Sequence, residues 1–247
     1  MATNTLLAER SNTALPSTDG QIIYPDSDGQ PMADNTKQFR WIVAVAGGLA
    51  ALFADNPDVF VAGDLLWYPV EGDPKIRIAP DALVVFGRPK GDRGSYRQWQ
   101  EAGIAPQVVF EILSPGNTVI EMSRKFRFYE RYGVEEYYIY DPDNGALEGW
   151  RRPNSRLQLI DDLNGWISPR LGIRFQLEDG ELRIYRPDGR RFQTYEELEA
   201  ERAATQQRAE RESQRAERES QRAERESQRA ERLAAQLRAL GMKPEDE

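Results

Sequence analysis

The chain has 247 residues, neither cysteine nor histidine, and 33 Lys+Arg against 41 Asp+Glu, a formal net charge of −8. The two zeros exclude cysteine nucleophiles, Ser-His-Asp triads, zinc sites built on Cys or His, histidine-ligated haem and nucleases with a histidine base. The chemistry that remains must run on carboxylates, Lys, Arg, Tyr, Ser and hard cations such as Mg²⁺ or Mn²⁺, while the acidic balance excludes a surface coated in positive charge.

Residues 1–33 are polar and rich in Ser, Thr, Asp, Pro and Gly, which predicts a flexible or loosely docked arm. No basic start leads into a long apolar run, so no signal peptide is expected, and the missing cysteines fit a cytoplasmic protein. A helix is expected to start near Asp34-Asn35-Thr36, with an apolar stripe of Phe39, Ile42, Val43, Ala46, Leu49 and Phe53. Asp55-Asn56-Pro57 stops it. The apolar run from Trp41 to Phe53 is too short, and too interrupted by Gly47-Gly48, to span a bilayer.

From Val59 to Asp161 the pattern is mainly strand. Val59–Tyr68 and Lys75–Phe86 are expected to pair antiparallel through the turn at Glu71-Gly-Asp-Pro74. A Gly/Arg-rich loop and a short helix near Tyr96–Glu101 follow. Next comes an apolar strand around Glu111, closed by Ser114-Pro115-Gly116. Thr118 to Tyr132 reads as a helix, with a capping box at Thr118-x-x-Glu121 and a C-terminal stop at Gly133. Val134–Tyr140 is another strand, and the Asp143-Asn-Gly145 turn leads into a hairpin of Leu147–Arg151 and Leu157–Ile160. Short β elements over 165–192 complete a domain spanning 34–193. The succession predicts an α/β or α+β fold, a mixed β-sheet flanked by helices.

Residues 194–247 differ in kind. Gln-Arg-Ala-Glu-Arg-Glu-Ser repeats from Gln207, Gln214 and Gln221, a period of seven. An Ala/Ser seam buries little area, so a solvated single helix, a weak coiled coil and disorder all stay open. Leu233, Leu237 and Leu240 make the end of the tail more apolar, enough to hold a partner helix in a homodimer or weak tail-mediated oligomer.

The basic residues fall in three groups: Arg88, Lys90, Arg93 and Arg97; Arg124, Lys125, Arg127 and Arg131; Arg151, Arg152 and Arg156. Each is either a solvated face or a local patch for nucleic acid. The acids are more informative. Ile78-Ala-Pro-Asp-Ala-Leu-Val-Val-Phe86 and Val108-Val-Phe-Glu-Ile-Leu113 are apolar on both faces apart from Asp81 and Glu111. Asp81 shares a face with Leu83 and Val85, and Glu111 with Val109 and Leu113. On adjoining strands the two acids would meet and repel, and a divalent cation is the simplest group that makes such a pair favourable. The bland alternative is that Asp81 caps a strand end while Glu111 pairs with an arginine.

Pro-Asp on one strand, Glu on the next and a lysine-bearing helix afterwards resemble the PD-(D/E)xK nuclease superfamily. Ala79-Pro-Asp-Ala-Leu-Val-Val-Phe-Gly87, Arg93-x-Ser-Tyr-x-x-Trp99, Val109-Phe-Glu-Ile-Leu-Ser114, Lys125-x-x-x-Tyr129 and Gly133-Val-Glu-Glu-Tyr-Tyr-Ile-Tyr-Asp-Pro142 together resemble the Uma-type putative restriction endonuclease family of bacteria. So does Leu-Arg-Ala-Leu-Gly241 after the charged tail. The resemblance implies a Mg²⁺- or Mn²⁺-dependent endonuclease acting on DNA. It makes Asp81 and Glu111 metal ligands, the backbone carbonyl of Ile112 a third, and Lys125 the catalytic cation. The superfamily lysine would fall at 113, where this chain has leucine, and the resemblance implies that it is drawn from the following helix instead. The family tends to have Asp where this chain has Glu121, and often a His near the first helix, where this chain has Gln38. The competing readings are a nuclease fold that no longer cuts and acts as a binding or assembly module through its tail, and a metal-dependent hydrolase of another phosphodiester. On sequence alone, Lys125→Met is expected to slow cleavage without changing metal affinity or melting temperature.

Overall fold

The computed structural model describes residues 22–240. The first part of the predicted arm, and the final residues from Gly241 onward, lie outside the described residues. Two compact units divide at Thr194/Tyr195.

The first unit opens with α1 (Thr36–Leu52), whose N-cap Asn35 accepts from the Gln38 N–H, followed by β1 (Val59–Ala62). Next come β2 (Trp67–Tyr68), β3 (Ala82–Phe86), β4 (Tyr96–Arg97) and β5 (Val108–Ile112). Helix α2 (Val119–Tyr132) leads to β6 (Glu136–Asp141), β7 (Ala146–Arg151), β8 (Gln158–Leu159), β9 (Arg174–Glu178) and β10 (Glu181–Tyr185). The main sheet has the order β1-β3-β5-β6-β7-β8. Only β5 and β6 run parallel within it, because α2 is the crossover between them. The fold is therefore the expected mixed α/β arrangement.

The sheet is apolar on both faces. Ala82, Val84, Val108, Phe110 and Ile112 pack against Ile42, Val45 and Leu49 of α1 and against the β9–β10 hairpin. Leu83, Val85, Val109 and Tyr137 form the opposite face with Phe60, Trp67 and Tyr129 of α2. Strands covered on both sides read as continuous apolar runs, which is why a carboxylate inside one stands out.

Three expectations need correction. The buried stripe of α1 is Gln38, Ile42, Val45 and Leu49, whereas Phe39 and Val43 are 47% and 42% exposed. The strand from Val59 is interrupted after Ala62, although the expected antiparallel pairing holds on both sides of the break, Val59–Ala62 with Leu83–Phe86 and Trp67 with Ile78, and Trp67–Tyr68 also pairs in parallel with Tyr96–Arg97. Asp64 causes the break, since its φ of 49° leaves the extended region. Tyr96–Arg97 is accordingly strand, and the short helix is a single 3₁₀ turn at Gln98–Gln100.

The described part of the arm is docked. Tyr24 packs edge-on against Tyr68 and beside Trp99, and the Tyr68 hydroxyl donates to the Pro25 carbonyl at 2.6 Å. The first basic group is consumed internally. Arg88 and Arg93 both donate to Glu101, and Lys90 donates to the Phe53 and Ala54 carbonyls at the end of α1. In the third group, Arg152 donates to the carbonyls of Val134 and Glu130. Arg124, Arg127 and Arg131 are exposed along α2.

The second unit contains α3 (Tyr195–Ala239), in which no residue is buried. Its Arg–Glu pairs, such as Arg215–Glu219 and Arg222–Glu226, are one helical turn apart. Among the described residues no helix is long and apolar enough to cross a membrane.

Candidate active site

Strand register builds the site. β1 pairs with β3 so that Ala62 faces Leu83, and β3 pairs with β5 so that Ala82 faces Phe110. Carried two residues past Ala62, the first register sets Asp64 across from Asp81. Carried one residue past Ala82, the second sets Asp81 across from Glu111. Three carboxylates, one within β5 and two just beyond the ends of β1 and β3, thus come within reach of one another and of Lys125 from α2. The backbone agrees: the Asp64 N–H points at the carbonyls of Pro80 and Asp81, at 3.1 and 3.4 Å. Asp81 and Glu111 meet as their sequence context implied, and Asp64 is an addition that the sequence reading missed. Its only signal was the alternation Phe60-x-Ala62-x-Asp64, hidden by the turn that follows.

Each group in the set has partners that fix it. The Ile112 N–H donates to Asp81 Oδ2 at 2.6 Å. Lys125 reaches down from α2 and donates to Glu111 Oε2 at 2.8 Å, while the Tyr129 hydroxyl donates to Oε1. Lys125 and Tyr129 can both do so because they lie one turn apart on the helix. Arg124 and Arg127 lie on the exposed side of that helix. Of the bland alternative only half occurs: Asp81 does accept from the last residue of β5 at the strand end, but Glu111 takes a lysine and a tyrosine, not an arginine. Glu121 does not bond Lys125; it closes the capping box with Thr118 and accepts from Asn117.

Gln38 ties α1 to the site. Its side-chain amide donates to the Ile112 carbonyl at 2.8 Å, and its own carbonyl accepts from the Asp34 N–H. The Ile112 carbonyl, expected as a third metal ligand, therefore already has one donor, and its second lone pair remains.

The set opens into a cleft of about 460 Å³, lined by Asp34, Gln38, Asp64, Asp81, Glu121 and Lys125 among others. Electrostatics there are strained without a cation. Burial, and then the neighbouring Glu111, push the Asp81 carboxyl well above its ordinary pKa; Lys125 and the Ile112 N–H only partly offset this. Burial alone would lower Lys125, but Glu111 and then Asp81 outweigh it, so the ammonium is held more firmly than usual. Burial and then Glu111 raise the Tyr129 hydroxyl, which stays a protonated donor. The Tyr137 hydroxyl is buried without a hydrogen-bond partner among the described residues, and it lies near enough to Glu111 and Asp81 for their charge to raise its pKa after burial has done so.

Hard oxygen donors of this kind suit Mg²⁺ or Mn²⁺. Among the described residues no three acidic side chains already stand close enough to cage an ion. Mg²⁺ does not require that, because it keeps several waters and commonly takes one or two carboxylates plus substrate phosphate. The donor set therefore fits such an ion.

A mixed sheet with three neighbouring carboxylates, and a lysine delivered from the crossover helix, defines a protein of the restriction-endonuclease-like class. The chain belongs to the Uma2 family, described as a putative restriction endonuclease, whose pattern matches residues 13–178. Among solved structures it is similar to a putative nuclease belonging to DUF820 from Anabaena variabilis ATCC 29413. That likeness has a TM-score of 0.42 and 18% identity, over 61% of this chain and 78% of the other. No curated protein matches the chain.

Proposed function

We propose that the cleft is the hydrolytic centre of a Mg²⁺- or Mn²⁺-dependent endonuclease that cuts DNA phosphodiester bonds in the bacterial cytoplasm. The observation that carries the reading is the delivery of Lys125 to Glu111 directly beside Asp81, in a cleft open to substrate. Asp81 and Glu111, with the Ile112 carbonyl, are the groups that would hold the ion. When bound, it would polarise the scissile phosphate and lower the pKa of an attacking water.

The chain's own residues supply the rest. Lys125 keeps its proton and presents positive charge where negative charge develops on the phosphoryl oxygens. Tyr129 and the Ile112 N–H hold Glu111 and Asp81 in fixed orientations, so little reorganisation is needed when substrate arrives. Gln38 holds the Ile112 carbonyl and locks α1 onto the same strand end. The exposed row of Arg124, Arg127 and Arg131 offers contacts to the phosphate backbone on the outer face of α2.

The test is nicking of supercoiled plasmid by the full chain in Mg²⁺, Mn²⁺ or EDTA. Nicking is expected with either metal, none with EDTA and none with Asp81→Asn. Cutting that survives EDTA would sink the metal role. DNA binding without cutting under every metal condition would leave the assembly-module reading in its place.

A further inference from the structure

The hydrogen bonds of the cleft identify which oxygens remain open to a ligand. Each oxygen of Glu111 already accepts one hydrogen bond, from Lys125 and from Tyr129, and keeps one lone pair. The Ile112 carbonyl is taken once by Gln38, and Glu121 is tied into the cap of α2. Asp28 accepts from the Gln30 N–H within its own turn. Asp81 uses only Oδ2, and its other oxygen has no partner among the described residues. Asp64 uses neither carboxylate oxygen among the described residues, although its backbone N–H is pinned to the strand carrying Asp81.

Two carboxylates directly opposite on antiparallel strands repel and destabilise the pairing. Asp64 adds to that a positive φ, which a non-glycine residue adopts at a cost. The Tyr137 hydroxyl, buried on this face, has no hydrogen-bond partner among the described residues. A set of like charges with two facing carboxylates open, and an orphaned hydroxyl behind it, calls for a cation and water.

On the reading of the cleft as a metal-dependent hydrolytic centre, we infer that Asp64 is a direct ligand of the same ion, standing opposite Asp81. The two form a two-carboxylate clasp in the free protein, and Glu111, held meanwhile by Lys125 and Tyr129, joins them as a ligand when substrate enters. This placement needs no cage of three acids, and it leaves coordination positions for water and for a phosphate oxygen.

The experiment is titration of the full chain with Mn²⁺, followed by calorimetry and by loss of the free-ion electron paramagnetic signal, with melting in EDTA alongside. Asn tolerates the left-handed region, so Asp64→Asn is expected to fold. It should weaken Mn²⁺ binding by at least about tenfold, a scale on which even outer-shell partners act. It should also melt no lower than the parent in EDTA, because the like-charge pair is gone. Asp28→Asn removes a charge near the cleft without removing a ligand, and should weaken binding by about threefold or less. Parent-like Mn²⁺ affinity in Asp64→Asn, with affinity lost in Asp81→Asn, would overturn the assignment and leave the hydrolytic centre standing. Equal losses in Asp28→Asn and Asp64→Asn would reduce Asp64 to a remote charge. Failure of the parent itself to bind Mn²⁺ would overturn both readings.

Discussion

Lys125 and Glu111 form an ion pair in which the acid is 2% and the lysine 18% exposed at the side chain. Removing one member of such a pair leaves the other as an unpaired buried charge. The structure therefore changes one expectation. Lys125→Met should not be thermally silent; the metal-free protein should lose about 2–3 kcal/mol, at or just below the usual cost of breaking a buried pair. Adding Mn²⁺ should restore part of the melting temperature, since a cation replaces the lost one. Cleavage should fall by about 100-fold or more, the scale of losing one transition-state donor. Parent-like cleavage by Lys125→Met, with loss in Arg124→Met, would move the catalytic cation elsewhere on the helix. A second residue-scale test concerns Glu101. Burial would raise its pKa, but hydrogen bonds from Arg93 and Arg88 outweigh that and hold it below 4.5. A depressed folded pKa means stability that is present above the unfolded value near 4.5 and lost as pH falls through the folded value. Glu101→Gln should therefore melt below the parent at neutral pH, and the gap should close as pH drops beneath 4.5. A gap independent of pH would show that packing, not charge, distinguishes the two side chains. Asp81, Glu111 and Lys125 were legible in the sequence because an acid inside an apolar strand and a lysine beside a helix's apolar stripe are both anomalies. Asp64 was not, because Gly63 and the left-handed turn make it look like an ordinary loop acid.

At the scale of elements, α2 positions the site and carries the clearest local signals. Thr118 accepts from the Glu121 N–H, Glu121 returns a contact to the Thr118 N–H, and Gly133 closes the helix at φ 96°. Each of these was readable, since capping boxes and left-handed glycines depend on neighbours in sequence. Thr118→Ala should cost about 1 kcal/mol, the usual worth of a cap. It should also loosen the first turn of a helix whose second and third turns hold Lys125 and Tyr129. Mn²⁺ affinity should be unchanged, and the melting temperature should fall in parallel with and without metal; a fall confined to the metal-bound form would contradict this. What sequence could not supply was long-range pairing. β2 joins β4 in parallel, because Trp67 is fully buried between Tyr129 and Phe128, and nothing local announces that packing. The stripe of α1 was misread for a related reason. Gln38 is buried to serve the Ile112 carbonyl, and that turns Phe39 and Val43 outward.

At the scale of the whole molecule the chain joins two units with different sources of stability. The first has a core on both faces of its sheet, whereas α3 runs 45 residues with none buried. Such a helix rests on intrinsic propensity and on side-chain pairs worth about 0.3–0.5 kcal/mol each. In Arg215–Glu219 and Arg222–Glu226 the arginine precedes the acid, the weaker orientation against the helix dipole. The tail should therefore lose helix gradually on heating and on adding salt, while the sheet unit melts in one cooperative step. Circular dichroism at 222 nm should show a sloping loss before the main transition, and removal of residues 195–247 should abolish the slope and leave the main midpoint in place. The heptad repeat makes a further demand. Leu233, Leu237 and Leu240 are 51%, 38% and 77% exposed, a short apolar seam at the end of an Ala/Ser-rich helix. A seam of that size supports weak, concentration-dependent self-association through the tail. Light scattering should show the full chain growing in mass with concentration, the chain without residues 195–247 staying constant, and Leu233→Glu with Leu237→Glu behaving like the shortened chain. If all three keep the same mass across the range, association does not run through α3, and any dimer that cuts DNA must be built from the sheet unit.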